Sequence, residues 1–266
     1  MRITIVYELV GDMVDIRNEL MAVYAVWLRE LKRFYRDKGS LLGSIARPLM
    51  WFLIIGGGIG ATTKLAGVDV DYFTFIAPGI IGMTVLFTSL FQGVSVIWDR
   101  EFGFLKEMLV APVSRVSIVV GKALGGATSS LLQSAIIIAV AYAIGVQFSL
   151  AALLSLLPLI IIISVGFTSM GLTIASLMDT MEGFNVIMNF IVMPMFLLSG
   201  ALFPISATSG IMATAVYVNP MTYGVEALRY AAIGISSVSP VLSMSVVLAF
   251  TAAMSVIATV AFSRRR

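Results

Sequence analysis

Apolar stretches of about twenty residues, the length a helix needs to cross hydrocarbon, recur in this chain from Pro48 to Phe262. One charge-dense segment, Asp99 to Arg115 (DREFGFLKEMLVAPVSR), separates two of the long ones. Inside a bilayer every backbone N–H and C=O must be satisfied by protein, which leaves helices or closed barrels. Of the 266 residues 59% are hydrophobic and 12% charged, whereas soluble domains are about a quarter charged. So little charge cannot cover a globule with hydrated surface. The expectation is an all-α membrane protein of many spans.

The chain has no cysteine and no histidine. Disulfides, thiol nucleophiles, His-based metal sites and His general bases are therefore excluded, and no metal site or cofactor is expected in this chain. No secretory signal is visible before the first long apolar run, so that run is expected to serve as the insertion signal.

Residues 1–44 read as a cytoplasmic segment. From Asn18 to Lys38, Met21, Tyr24, Leu28, Leu31 and Tyr35 recur at helical steps, with Arg29, Lys32, Arg33, Arg36 and Lys38 mostly off that stripe. This is the pattern of an amphipathic helix lying on a membrane surface; the alternative is a solvated helix packed on a cytosolic domain. A transmembrane domain is expected over 45–263. Six spans are predicted at about 45–63, 72–98, 116–146, 150–177, 184–203 and 241–262. Pro194 and Gly200 interrupt the fifth. Residues 204–239 hold two short helical stretches around Asn219-Pro220 and read as a re-entrant hairpin. Residues 264–266 form a tail.

Six spans place both ends on one side. Eight basic residues lie at or before Arg47, four more are Arg100, Lys106, Arg115 and Lys122, and three close the tail; Lys64 and Arg229 alone fall opposite. The positive-inside rule puts both termini and the 99–112 segment in the cytoplasm and the 204–239 hairpin outside. The protein is expected in the cell (inner or plasma) membrane.

Within the charged segment Asp99 can cap a short helix that Pro112 ends. Phe102, Leu105, Met108 and Leu109 share one face, and Asp99, Arg100, Glu101 and Lys106 surround it. So short a helix has little stability alone in water. It is either a docking surface held by its flanking spans or a plain connector. Gly56, Gly57, Gly58 and Gly60 lack the Lys-Ser or Lys-Thr of a phosphate loop and suit close helix packing.

At these residues the chain resembles the type 2 ABC export permeases, closest to the branch containing the daunorubicin-resistance membrane subunits. The resemblance rests on WDREFGFLKEMLVAPVSR, on WLRELKRFYRDKGSLLGSIARPLMW (27–51), and on NFIVMPMFLLSGALFPIS with NPMTYGVEALRY (189–206 and 219–230), which occur in the family's order. It implies a dimer, of two copies or with a close paralogue, driven by separate cytosolic ABC ATPase subunits that bind ATP and Mg. It also implies that 99–112 is the coupling helix. The chain has no G-x-x-x-x-G-K-[ST] sequence, so it is not expected to be an ATPase itself.

Two further groups have two readings each. Glu226 and Arg229, three apart on one helix face, are either an external gate or a local ion pair. Thr84, Thr88 and Gln92, with Gln133, Asn185 and Asn189, either line a substrate path or bond helices to each other. Absence of carboxylates deep in a span speaks against an ion-coupled secondary transporter. The expected cargo is a hydrophobic or amphipathic small molecule, a drug or lipid, with a polysaccharide or lipid-linked glycan as the alternative. Membrane lipid is the other expected partner, and nucleic acid is not.

Overall fold

The computed structural model describes residues 16–60, 70–103, 113–178 and 180–264. Helices α1 (Ile16–Arg36) and α2 (Lys38–Gly60) open the described chain. They are followed by α3 (Tyr72–Gln92), α4 (Val94–Glu101), α5 (Arg115–Ile144) and α6 (Leu150–Leu177). Next come α7 (Met181–Ile187), a π turn (Met188–Val192) and α8 (Met193–Leu197). Last are α9 (Gly210–Val218), α10 (Pro220–Ile233) and α11 (Pro240–Arg264).

Local chemistry sets several starts. Asp71, Ser114, Ser149, Thr180 and Asn219 each accept a hydrogen bond from a first-turn N–H of the helix that follows, relieving donors that have no partner inside the helix. Gly145 ends α5 at φ 108°, a left-handed conformation that glycine adopts without a Cβ clash.

Among the described residues, five stretches are long and apolar enough to span a membrane: Leu41–Gly58, Tyr72–Glu101, Arg115–Ile144, Leu150–Leu177 and Pro240–Phe262. The chain is a multi-pass membrane protein. Helix α3 is the centre of the bundle: it is buried along nearly its whole length and packs on α2, α5, α6 and α10. Where α3 passes into α4, a Cβ on Gly93 would stand 2.3 Å from the Gly171 carbonyl carbon. The junction thus crosses α6 backbone to backbone.

Two expectations change. The fifth predicted span is shorter than expected: the chain is helical over Met181–Leu197 and ends before Phe203, and its expected interruption takes the form of a π turn just before Pro194, which lacks an N–H to continue the ladder. Asp99 does not cap a new helix. Asp99, Arg100 and Glu101 form the last turn of α4, which continues the second span.

Candidate functional site

The site is built where α1 lies along α5. Val23 and Val26 sit over Gly121, and Glu30 over Gly125. A Cβ on either glycine would fall 2.7 Å from a Cβ of α1, that of Val26 or of Glu30. The small-xxx-small pair of the third span is therefore a seat for α1. Trp27 Nε1 donates to Thr128 Oγ1 at 2.9 Å farther along.

A buried charge cluster forms on this seat. Lys122 Nζ donates to Glu30 Oε1, Asp99 Oδ2 and Ser95 Oγ, each at 2.8 Å, with no exposed surface of its own. Arg29 reaches the other oxygen of Asp99 at 2.5 Å, and Gln92 Nε2 the other oxygen of Glu30 at 2.8 Å. Two carboxylates and two cations balance, and all three ammonium protons are used, which is what a buried charge requires. Arg33 stacks over the Trp98 ring at 4.3 Å. Burial pushes its guanidinium below its ordinary pKa, and Glu30 and Asp99 pull it back up.

The other end of the charged segment is held as well. Glu19 accepts from the Ser114 backbone N–H at 2.8 Å, from Ser114 Oγ at 2.7 Å and from Ser117 Oγ. The Ser117 hydroxyl first, and then Ser114, holds the Glu19 carboxyl below the usual carboxylate range. Arg100 donates to the Met178 and Ala175 carbonyls at 2.9 and 3.2 Å, at the C-terminus of α6, where a cation meets the negative end of the helix dipole. Residues 99–100 and 114–117 are thus both anchored, on α1, α5 and α6.

This placement divides the sequence-predicted docking residues. Asp99, 2% exposed, and Arg100 turn inward and hold the base of the segment rather than facing a partner. Glu101 is exposed, and Phe102 is 73% exposed. Leu105, Lys106, Met108 and Leu109 lie outside the described residues. Sequence reasoning missed Glu19, Glu30, Ser114, Ser117 and Lys122. A signal was present: Glu19, Val23, Val26 and Glu30 fall on one helical face, out of phase with the Met21–Tyr24–Tyr35 stripe, which is exposed.

A cavity of about 360 Å³ opens beside the cluster, between α1, α2, α3, α4 and α5. Its polar wall is a chain of hydrogen bonds: Thr88 Oγ1 to Gln133 Oε1 at 2.6 Å, and Gln133 Nε2 to Ser44 Oγ at 2.9 Å. Thr88, Gln92 and Gln133 of the predicted path line it. Thr84 instead donates to Ile80 of its own helix. Asn185 and Asn189 do not line the cavity; both are exposed, joined by the Asn189 side chain bonding the Asn185 carbonyl.

Glu226 and Arg229 pair at full burial. Arg229 also donates to the Gly200 carbonyl at 2.6 Å and stacks over Phe75 at 4.2 Å. Glu226 accepts from Ser236 Oγ at 3.1 Å and from the Ser237 N–H. The pair closes on itself within one chain. Among the described residues no group of carboxylates could hold a metal ion.

The comparisons with known proteins converge with this architecture. The chain is 28% identical over 208 residues to nodulation protein J of Rhizobium leguminosarum bv. trifolii, covering 77% of this chain and 79% of the relative. It is 25% identical over 240 residues to the inner membrane transport permease YadH of Escherichia coli (strain K12), covering 89% of this chain and 93% of the relative. The family model of the ABC-2 type transporter matches residues 21–233, a stretch that runs from the helix seated on Gly121 and Gly125 to the end of α10. With most of its length matched, this chain belongs to the ABC-2 type transporter family.

Proposed function

We propose that the chain is the permease half of an ATP-driven exporter, moving a hydrophobic or amphipathic small molecule, a drug or lipid, outward by alternating access. A separate cytosolic ABC ATPase subunit docks on residues 101–112, and a second copy or close paralogue completes the permease. In this reading the chain makes six spans with both termini in the cytoplasm, the broken 181–197 segment is the fifth crossing, and α1 lies on the cytoplasmic membrane surface. The hairpin of α9 and α10 is external.

One observation carries the proposal. Both ends of the charged segment are locked to the bundle, by Lys122, Glu30 and Asp99 on one side and by Glu19 and Ser114 on the other. A push on the segment is therefore delivered to α1, α5 and α6 together rather than absorbed in a soft connector. Packed helices of this kind transmit displacement because they have few voids to collapse into.

The test is co-purification from the native membrane. An ABC ATPase subunit is expected to accompany the chain, and Leu105→Asp or Met108→Asp to release it. ATP hydrolysis by the purified chain alone, or undiminished partner binding by both variants, would overturn the reading.

A further inference from the structure

Arg47 is the starting point. It lies in α2, six residues beyond the start of the Leu41–Gly58 span, which at 1.5 Å per residue is about 9 Å along the helix. Its guanidinium forms no ion pair or hydrogen bond among the described residues and lies over the Phe87 ring, 5.8 Å from the centroid. A cation within a span is costly and calls for an anion or an aqueous path. Arg47 also lines the 360 Å³ cavity beside the charge cluster.

The rest of the cavity suits one class of ligand. Arg33 brings a second guanidinium to its wall, laid over Trp98. The Thr88–Gln133–Ser44 chain supplies neutral polar groups. Two carboxylates also line it. Glu30 is already engaged by Lys122, Gln92 and Arg33, and Asp37 has partners of its own. The cation left without an answering carboxylate is therefore Arg47, with Arg33 beside it. From Arg47 a greasy track continues on the same helical face: Met50 and Ile54 follow at three and seven residues and are 58% and 63% exposed.

We infer that this cavity binds the phosphate head of an anionic amphiphile, with Arg47 and Arg33 on the phosphate and the tail along Met50 and Ile54. Guanidinium suits this role because its planar fork matches phosphate oxygens in pairs. The inference stands apart from the ATP-driven reading, because the chain without any ATPase is sufficient to test it.

The experiment uses the full chain in detergent micelles, titrated with three probes by native mass spectrometry: short-chain phosphatidic acid, phosphatidylcholine of the same chain length, and inorganic phosphate. Phosphatidic acid is expected to bind saturably and at least about tenfold tighter than phosphatidylcholine, a difference of about 1.4 kcal/mol. Arg47→Gln is expected to remove that preference and Arg47→Lys to keep part of it, with the melting temperature of both unchanged. Equal binding of the two lipids, or a preference that survives in Arg47→Gln, overturns the site. Inorganic phosphate binding as tightly as phosphatidic acid overturns the amphiphile and leaves a free-anion site. The two lipids are compared on the wild-type chain, so that arm stands even if a variant fails to fold.

Discussion

Ser114 gives both its backbone N–H and its hydroxyl to the carboxylate of Glu19, 95 positions earlier in the chain. The first turn of α5 is therefore capped twice, once by its own serine and once by a different helix. That carboxyl sits below the ordinary carboxylate range because the Ser117 and Ser114 hydroxyls favour its charged form. A lowered value stabilises the fold above the unfolded pKa and loses that contribution as the pH falls through the folded one. Acid titration of the wild type is therefore expected to weaken the α1–α5 contact, read as faster hydrogen exchange in α1. Glu19→Gln should show that exchange already at neutral pH and respond less to acid.

Lys122→Met leaves two carboxylates buried without their shared cation. A loss of about 3–5 kcal/mol is expected from breaking such a cluster, measured as a fall in melting temperature in micelles. Neutralising its three buried members together, with Glu30→Gln, Asp99→Asn and Lys122→Met, should recover most of it, since the remaining cation, Arg29, is partly exposed. If the cluster also carries force, the triple variant will bind its ATPase yet transport poorly.

Phe102→Asp alters an exposed side chain and should leave stability within about 0.5 kcal/mol. Partner binding is expected to fall. A pull-down with unchanged yield would remove Phe102 from the proposed docking surface.

Gly125→Ala places a Cβ 2.7 Å from that of Glu30. Overpacking of this kind costs about 1–3 kcal/mol. The expected signature is specific: thermal melting falls, and a disulfide engineered between α1 and α5 forms more slowly.

Arg229→Met removes one member of a fully buried pair, with about 3–5 kcal/mol of destabilisation expected. The double variant Glu226→Gln with Arg229→Met separates the two roles. Recovered stability with normal transport identifies a local brace, and recovered stability without transport identifies a gate.

Much of the bundle was legible from apolar run length alone, since hydrocarbon thickness fixes how long a spanning helix must be. Residues 150–177 form α6 as expected. The fifth predicted span was placed with its Pro194 interruption, but apolar run length carries no sign that Met188–Val192 takes the wider π turn. Lys122 was counted only toward the cytoplasmic side, because positive-inside counting assigns a cation to a face of the membrane and not to a partner. Its partners Glu30 and Asp99 lie 92 and 23 positions away, and no local pattern joins them. Gly121 and Gly125 stand four apart, a spacing that suits close helix packing, but only the structure shows that the helix they seat is α1 and not another span.

The long reach of the Glu30–Lys122 contact bears on how the molecule is made. Helix α1 leaves the ribosome some ninety residues before the lysine that neutralises it. During that interval Glu30 has only Arg33 of its own helix and water to answer it, so α1 is expected to stay at the aqueous face while the helices ahead of Lys122 insert. Docking of α1 is then expected to be a late step in biogenesis, following synthesis of α5. A chain interrupted before residue 114 would lack the partners of Glu19 and the lysine of Glu30 alike, a mark by which quality control could tell an unfinished copy from a finished one.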